Sequence, residues 1–573
     1  MKIKHLFGLA VIAAMTASCS SNEDLGTAGP GTGTNETGVG YATFTINLPS
    51  VSGTRAADAG GAQMDEGTAN EYAVKSATAL IFQKYGSDEG SCKFVESVDL
   101  PTAAADWTDD ATDGITTTKK LVAKLTNVDT KNQYYVLVLL NNNKKTGGVK
   151  VALPTVGQSY NEWNSQILTS SVDDLAADND FYMANAPLKG TASPTTLVTI
   201  NKENIYSSKE KAEAGTSAAT VYVERGVAKM SVTDPTTKTV IDKATNNPTK
   251  STVEFNNWAL DITNKRTYAV HNIDGLSTDF PDIWTTPRFI GTNSRVYWGK
   301  DPNYNLDNLN TGKEAEREAE FNFIKATSGI NKTFTESAYC LENTFNLANM
   351  YQGQTTRVIF KATYTPMDGA GNSLAEPDGT FYTIGNMTNI LNEAALKTAV
   401  NTAATSVLPG CTVDYTNLKT EGSHVITLAD IKDSTGKTLV VDKDYSGKTG
   451  TQIVKEINDK LGLIDGAGHA EAMVGINTYA QGVTYYIARV KHFGSLTPWN
   501  SGESYGTDNG KYLGRYGMLR NNWYELTVGN VYGPGYPGVP PVDPNQPDDE
   551  NEKYLSVSVK ILSWAKRSDI VDL

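Results

Sequence analysis

The stretch YATFTINLP, residues 41–49, alternates apolar and polar side chains from end to end. Its apolar members fall on one side of an extended chain: Ala42, Phe44, Ile46 and Leu48. Period-two alternation of this kind predicts a half-buried β-strand. The segments before and after it, residues 20–40 and 50–70, are rich in Gly, Ala, Thr and acidic residues and show no apolar periodicity. A good strand therefore stands alone near the start of the chain, between two linker-like segments.

Strand-like runs of the same kind recur along the 573 residues, separated by residues typical of turns, at 134–143, 220–232, 356–366, 483–494 and 523–533. Helical patterns are few and lie near 311–324, 389–404 and 450–462. The composition, 39% hydrophobic and 20% charged with many Thr and Tyr, suits a pleated and half-buried surface. We therefore expect an all-β fold with short helical insertions, divided into several β-sandwich domains because the chain is too long for one.

A single arginine follows the first strand. Arg55, in SVSGTRAADAGG (residues 50–61), is the only basic residue between Lys4 and Lys75. An arginine in a loop of small, polar residues is a good substrate for an arginine-specific protease. We predict cleavage between Arg55 and Ala56, which would make the first strand removable. The alternative is an ordinary first strand of a sandwich, followed by a loop that happens to be small and polar.

The N-terminus has the pattern of an export signal. Lys2 and Lys4 precede an apolar run, residues 6–17, that is long enough for a signal peptide and too short to span a bilayer. The small residues before Cys19 resemble a bacterial lipobox, so we predict that Cys19 is acylated and holds the precursor in the outer membrane. An ordinary secretory signal cleaved nearby is the alternative.

The C-terminus mirrors the N-terminus. Residues 533–553 are rich in Pro, Gly and acid, which predicts an extended arm. The run YLSVSVKILSW then alternates again, and a short apolar piece closes the chain; the apolar residues of both are Leu555, Val557, Val559, Ile561, Ile570, Val571 and Leu573. A terminal strand with no partner is an aggregation hazard. We therefore predict a donor strand that fills, in a second copy, the groove left by the removed strand. Such a head-to-tail contact propagates into a filament.

Other classes of function find little support. The net charge of −14 argues against nucleic acid as a partner. The Gly-x-Ser-x-Gly pattern at residues 502–506 lacks the strand and helix that a hydrolase needs around its nucleophile. Residues 442–447 begin like a calcium loop, but the twelfth position is Ile453 instead of Glu, so a solvated turn competes with a weak site. We expect no enzyme, cofactor or resident metal. Three cysteines follow Cys19, and the sequence allows two possibilities for them: one disulfide, or three buried thiols.

Four places in the sequence resemble the fimbrillins of the Bacteroidota, called type V pilins, and among them the structural subunit of the minor (short) fimbriae. They are the lipobox Cys19 with the later GTRAAD (53–58), VYVERGVAKMSV (221–232), YGMLRNNWYELTVGNVYGPGYP (516–537) and LSVSVKILSWAKRSDIVDL (555–573). The resemblance implies two transthyretin-like β-sandwich domains in tandem. It also implies lipoprotein export, cleavage by an arginine-specific, gingipain-type protease and polymerisation through the C-terminal strands.

The expected organisation follows from these points: a signal peptide at 1–18, a lipidated propeptide with the removable strand at 19–55, an N-terminal domain at 56–217, a C-terminal domain at 218–532, and the arm with the donor strands at 533–573. The anchor subunit of such systems keeps its first strand and the tip subunit lacks a donor tail. This chain has both a cuttable arginine and a tail, so we expect a stalk subunit of a surface fimbria that supports adhesion and biofilm formation. Its partners would be further copies of itself, anchor and tip or accessory subunits, the protease and, before cleavage, the outer membrane. The competing hypothesis is a monomeric or anchor-type surface lipoprotein that binds glycan or host protein.

Overall fold

The structure is a computed structural model. It describes residues 34, 38–48, 64–65, 67–102, 118–129, 131–144, 146–168, 171–177, 180–189, 194–280, 296, 298–306, 309, 312–346, 349–385, 389–463, 475–493, 512–542, 544–545 and 555–564. For residues 64–65, 69 and 555–564 it describes the backbone. The predicted fold class is confirmed: strands dominate, and the helices between them are short.

The first half of the chain builds the first sheet and its core, two separate two-stranded sheets and one short strand that pairs into the second sheet. Its strands are β1 (Gly40–Asn47), β2 (Met64–Asp65), β3 (Ala77–Gln83), β4 (Lys93–Leu100), β5 (Thr118–Leu125), β6 (Tyr134–Leu140), β7 (Ala176–Ala177), β8 (Asp180–Phe181), β9 (Met183–Asn185), β10 (Leu188–Lys189), β11 (Pro194–Thr195), β12 (Val198–Ile200), β13 (Ile205–Tyr206) and β14 (Ala219–Arg225). Its helices are α1 (Ala69–Tyr72), α2 (Tyr160–Asn164), α3 (Val172–Leu175) and α4 (Lys209–Ala214). The two-stranded sheets pair β7 with β8 and β10 with β11, and β2 is the short strand that pairs into the second sheet.

The strand order in the first sheet runs β13, β1, β14, β9, β6, β3, β4, and β5 and β12 pair onto β1 and β6. β14 joins the two parts, because its first half is parallel to β1 and its second half is antiparallel to β9. The apolar faces of these strands meet in a shared core that includes Phe44, Leu80, Val136 and Val221. The alternation in the sequence produces this core, since successive side chains of a strand point to opposite faces.

The two domains are joined within the run VYVERGVAKMSV. It forms β14 in the first sheet and β15 (Ala228–Val232) in the second, with a break at Gly226. A Cβ at Gly226 would lie 2.9 Å from the Tyr182 ring, so a larger residue does not fit at this crossing. After residue 217, the predicted domain limit, the chain thus adds one more strand to the first sheet before it changes sheets.

The second domain starts with β15 and continues through β16 (Thr237–Ile241), β17 (Pro248–Asp261), β18 (Thr263–Asn264), α5 (Leu276–Asp279), α6 (Glu314–Glu320), β19 (Phe321–Asn322), β20 (Ala338–Cys340) and β21 (Arg357–Thr365). After an insertion it ends with β27 (Val483–Arg489), β28 (Asn522–Val531) and β29 (Leu555–Trp564). The order is β2, β29, β28, β16, β17, β21, β27, and β15 pairs with β28 and β20. Its core holds the buried side chains of β28, among them Tyr524, Leu526 and Val528.

The insertion between β21 and β27 is a small lobe with a core of its own. It comprises β22 (Phe381–Ile384), α7 (Glu393–Val407), β23 (Thr412–Val413), β24 (Gly422–His424), β25 (Ile431–Lys432), α8 (Gly450–Leu461) and β26 (Ile476–Tyr479). α8 begins with a capping box of Thr449 and Gln452 and ends at Gly462 in the left-handed conformation, at φ 68°. The three predicted helices are confirmed as α6, α7 and α8.

The cysteines in the described residues are buried thiols. Cys92, Cys340 and Cys411 form no disulfide with one another. Burial raises the pKa of the Cys340 thiol to about 12, which keeps it protonated and unreactive. Of the two possibilities that the sequence allowed, one disulfide or three buried thiols, the structure therefore has three buried thiols.

Candidate functional site

β1 is an interior strand of its sheet, although it is the first strand along the described chain. One edge pairs antiparallel with β5 over its whole length, from Gly40 opposite Leu125 to Asn47 opposite Thr118. The other edge pairs first with β13 and then, in parallel, with β14. Both rows of backbone hydrogen-bonding groups are therefore used. Removing β1 would open two edges at once instead of trimming one side of the sheet.

The predicted apolar face of β1 points into the first core. Ala42, Phe44 and Ile46 are fully buried and Leu48, just beyond the end of the strand, is 2% exposed. Each of the three large side chains contributes about 1.5–3 kcal/mol by leaving water. The four residues predicted from the alternation thus lie together on one buried face.

The polar face of β1 is covered as well. Residues 207–217, here called the strap, leave β13, form α4 and return as β14, and in doing so they cross the outer face of β1. The Thr43 hydroxyl donates to the Ala212 carbonyl at 2.6 Å, and the Thr45 hydroxyl lies 2.6 Å from that of Ser217. Thr43 is only 1% exposed as a result. We call the space bounded by β5, β13, β14, the core and the strap the β1 site.

The C-terminal strand has a place within its own chain. β29 pairs antiparallel with β28, from Asn522 opposite Ser563 to Val531 opposite Leu555. β2 pairs in parallel with its far end, at Ser563 and Trp564. The expectation of a terminal strand with no partner is therefore wrong. Backbone hydrogen bonds between strands form whatever the side chains are, so the sequence does not identify the partner strand. The pattern of residues 555–561 fits an edge in its own domain as well as a groove in another copy.

The Pro- and Gly-rich segment after β28 is docked, at least through Pro541. Tyr536 and Tyr485 exchange two backbone hydrogen bonds, at 3.0 and 2.7 Å. The Arg357 guanidinium donates to the Pro540 carbonyl at 2.7 Å and pairs with Asp261 at 2.9 Å. Proline has a backbone carbonyl but no N–H group. Side-chain donors of the domain are therefore enough to supply the hydrogen bonds of this stretch. Residues 533–541 thus do not hang as a free arm, contrary to the prediction for the whole of 533–553.

Glu71, in α1, lies at the junction of the two domains. Its carboxylate is 2.8 Å from the Lys229 ammonium and accepts a hydrogen bond from the Tyr339 hydroxyl at 2.6 Å. The Lys229 ammonium also lies over the Trp523 ring, 3.5 Å from its centroid. Burial by itself would raise the pKa of the Glu71 carboxyl, but Lys229 and Tyr339 hold that pKa below its usual value. The segment that follows the predicted cleavage point is thereby fastened to β15 and β20 of the second domain.

A second buried cluster fastens β14 to the same domain. His271 Nδ1 lies 2.9 Å from Glu224, which is on β14, and its Nε2 lies 3.4 Å from Glu342. The second oxygen of Glu342 lies 3.1 Å from Arg520 Nε. Glu224 of the motif at 221–232 and Arg520 of the motif at 516–537 thus belong to one cluster at the domain junction. β14, which lines the β1 site, is held to the domain that carries β29.

We expect Lys229→Met to destabilise the chain by about 3–5 kcal/mol at pH 7, since it leaves the buried Glu71 carboxylate without its ammonium. A carboxyl whose pKa is lowered in the folded state contributes stability above its unfolded pKa and loses it as the pH falls through the folded pKa. The difference between wild type and variant should therefore shrink in acid. Thermal unfolding followed from pH 7 to pH 3 measures both effects.

The matched control is Lys93→Met, since Lys93 lies 3.9 Å from Glu162 in a pair whose side chains are 35% and 65% exposed. Exposed pairs of this kind add about 0–1 kcal/mol. Equal losses for the two variants would mean that the buried pair has no special role in joining the domains.

The remaining predicted site residues fall outside the described part of the chain: Cys19, Arg55, Ala56, Ile570, Val571 and Leu573. Ser504, the only serine weighed as a nucleophile, lies outside it too. Among the residues described, no three His, Cys, Asp or Glu side chains are close enough to hold a metal ion. In the same residues no helix is both long enough and apolar enough to cross a bilayer.

Comparison with known proteins adds a match at the C-terminal end. Residues 477–569, from β26 through β28 and the docked segment to β29, match the family model "Major fimbrial subunit protein type IV, Fimbrillin, C-terminal". No curated protein sequence matches the chain.

Three solved structures are similar over long stretches at low identity. A proposed cell adhesion protein from Parabacteroides distasonis is 10% identical, with 91% of this chain and 97% of that chain covered and a TM-score of 0.34. A fimbrial assembly protein from the same organism is 13% identical, with coverages of 61% and 94% and a TM-score of 0.27. The tip fimbrial protein Mfa3 from Porphyromonas gingivalis, with a C-terminal truncation, is 11% identical, with coverages of 91% and 100% and a TM-score of 0.28. TM-scores of this size do not establish a common arrangement of the whole chain. The family match rests on residues 477–569, over which the chain is similar to the C-terminal region of the fimbrillins.

Proposed function

We propose that this chain is a fimbrillin, that it is the stalk subunit of a cell-surface fimbria and that it polymerises by exchange of the strand in the β1 site. In this proposal the precursor is exported as a lipoprotein through Cys19 and held at the outer membrane. An arginine-specific protease cuts after Arg55, β1 leaves, and the C-terminal strand of a second copy takes its place. Anchor and tip or accessory subunits would complete the fimbria, which supports adhesion and biofilm formation.

The observation that carries the proposal is the position of β1. It is enclosed by β5, β13, β14, the core and the strap, yet it is joined to the rest of the chain only through the segment that contains Arg55. While the chain is intact, β1 is present at the millimolar effective concentration of a tethered ligand, and no second copy competes. Once the tether is cut, β1 becomes a short free peptide that dilutes away. A single cut thus changes which strand fills the site.

The donor strand gains backbone partners by the exchange. On β28 it occupies the outer side of the sheet, with β2 covering two residues of its other edge. In the β1 site a strand pairs along its whole length with β5 and also with β13 and β14. Each additional buried hydrogen bond contributes about 0.5–1.5 kcal/mol. Before the exchange, the strand stays paired with β28. Its free energy is then lower in the β1 site of another copy than on β28.

The pairing of β29 with β28 also supports a second candidate function. If β29 never leaves β28, the chain stays a monomeric or anchor-type surface lipoprotein that binds glycan or host protein. The two functions differ in whether the N-terminal strand is retained on the cell surface.

The decisive test is Arg55→Ala, expressed in the native host beside the wild type. We expect wild-type protein from the cell surface to begin at Ala56 and to form filaments, because the cut frees the β1 site. The variant should begin at the lipidated Cys19 and stay monomeric. N-terminal sequencing, intact mass and electron microscopy of surface material measure these outcomes. Normal filaments from the variant, or a wild-type chain that begins at Cys19, would contradict the stalk function.

A further inference from the structure

The strap is built to interact with the outer face of whatever strand fills the β1 site. Its Ala212 carbonyl and Ser217 hydroxyl each meet one hydroxyl of β1. The strap is itself held in place, because the Thr216 N–H donates to the Tyr206 hydroxyl at 3.1 Å. A strand that lacks these two hydroxyls would leave the Ala212 carbonyl with only its bond from the Gly215 N–H, at 3.3 Å, and would remove the Thr45 partner of the partly buried Ser217 hydroxyl.

The tail of the chain repeats the pattern of β1. Residues 41–48 read YATFTINL and residues 554–561 read YLSVSVKI. In this alignment tyrosine matches tyrosine, and every apolar position of one segment matches an apolar position of the other. The two hydroxyl residues of β1, Thr43 and Thr45, correspond to Ser556 and Ser558. Residues 554–561 thus repeat the apolar and hydroxyl positions of β1 in order, and the polar position of Asn47 is taken by Lys560.

Neighbouring registers fail on simple grounds. A shift that places Ser558 at the position of Thr43 brings the polar Ser563 to the position of Leu48, which is 2% exposed. The opposite shift brings Lys553 to the fully buried position of Ala42. Unpaired buried charges cost several kcal/mol, and a shift by one residue turns the whole apolar set outward.

The match has a defined start. At Gly40 a Cβ would lie 2.7 Å from Ile205 Cγ2, and the residue of the tail that corresponds to Gly40 is Lys553. The tail must therefore leave the path of β1 before residue 554, where the correspondence itself begins.

We propose that the strap sets the register of the donor strand: residues 554–561 of a second copy enter the β1 site with Ser556 in the place of Thr43 and Ser558 in the place of Thr45. The Ser556 hydroxyl then donates to the Ala212 carbonyl, and the Ser558 hydroxyl bonds to that of Ser217. This inference rests on the proposed function and adds to it the contacts that choose one strand position among several.

Cysteine cross-linking tests the register. Thr43 and Val122 face each other across β1 and β5, and the Thr43 carbonyl bonds to Ala218 on the opposite edge. Positions 43 and 122 are thus a non-hydrogen-bonded antiparallel pair, whose Cβ atoms are close enough for a disulfide. A donor chain carries Arg55→Ala, so that it keeps β1 and cannot accept a strand, together with Ser556→Cys. The acceptor chain is cleaved and carries Val122→Cys.

We expect a disulfide-linked dimer from this pair on a non-reducing gel, and little from a donor with Ser558→Cys, which is two residues out of register. A stronger cross-link from Ser558→Cys would overturn the register. If neither donor cross-links while wild-type chains form filaments, the register is also wrong but strand exchange stands. If cleaved wild-type chains stay monomeric, the proposed function itself fails.

A second measurement isolates the strap contacts. Ser556→Val should slow filament growth by up to about tenfold, because the Ala212 carbonyl loses its hydroxyl donor and keeps only the Gly215 N–H. Ser556→Thr should restore the wild-type rate, since Thr43 already makes this bond in β1. Ser563→Val, outside residues 554–561, is the matched control and should leave the rate unchanged. Equal rates for the Val and Thr variants at position 556 would overturn the role of the strap.

Discussion

A disulfide between β1 and β5 should leave the chain cut after Arg55 but unable to polymerise, and reduction should then start polymerisation in the same sample. The variant carries Thr43→Cys and Val122→Cys, which face each other as a non-hydrogen-bonded pair. The disulfide replaces the tether that the protease removes, so β1 keeps the effective concentration of a tethered ligand. Such tethering changes apparent affinity by about 10²–10⁴-fold. Light scattering before and after reductant, with electron microscopy of both samples, measures the effect.

The single variants Thr43→Cys and Val122→Cys are the controls, and each should polymerise after cleavage without reductant. They also account for the lost hydrogen bond between Thr43 and Ala212. Filaments from the cut, oxidised double variant at the rate of the single variants would show that β1 stays in its site during polymerisation. Strand exchange at the β1 site would then be wrong.

The buried face of β1 could be predicted from sequence because alternation alone decides which side chains point inward. The cover on its other face could not. Thr43 has the pattern of an exposed residue, yet it is 1% exposed beneath the strap. The helix of the strap, KEKAEA, carries no apolar stripe, and only Ala212 of it is buried. These six polar and small residues show no pattern that predicts which strand the helix crosses.

Partners far apart in the chain escaped prediction for the same reason. Glu71 directly follows the Gly- and Ala-rich stretch 50–70 that looks like a linker, and its partner Lys229 is 158 positions away. The terminal strand was recognisable as a strand, but its pairing with β28 depends on backbone groups that every residue shares. The docked segment at 533–541 read as a free arm because its partners, such as Arg357, are on a distant strand.

A chain that ends at residue 553 should form no filaments after cleavage and should shorten the filaments of wild-type chains mixed with it. It keeps the β1 site, so it accepts a strand, but it has none to donate, and each copy ends a growing filament. We expect the domains to stay folded, since β29 pairs along the outer side of β28, and the β28 side chains Tyr524, Leu526 and Val528 are buried in the second core. Filament length against mixing ratio and thermal unfolding of the truncated chain are the two measurements.

A chain that lacks only residues 565–573 separates the parts of the tail. It retains the segment 554–561 that matches β1, so it should polymerise nearly as well as the wild type. Loss of filaments from this shorter deletion would assign the donor role to Ile570, Val571 and Leu573 instead. If the chain ending at 553 loses the cooperative unfolding of its second domain, then β29 is a permanent strand of that domain. The function as a monomeric surface lipoprotein would then be favoured, because a strand that its own domain needs in order to fold is not free to fill a site in another copy.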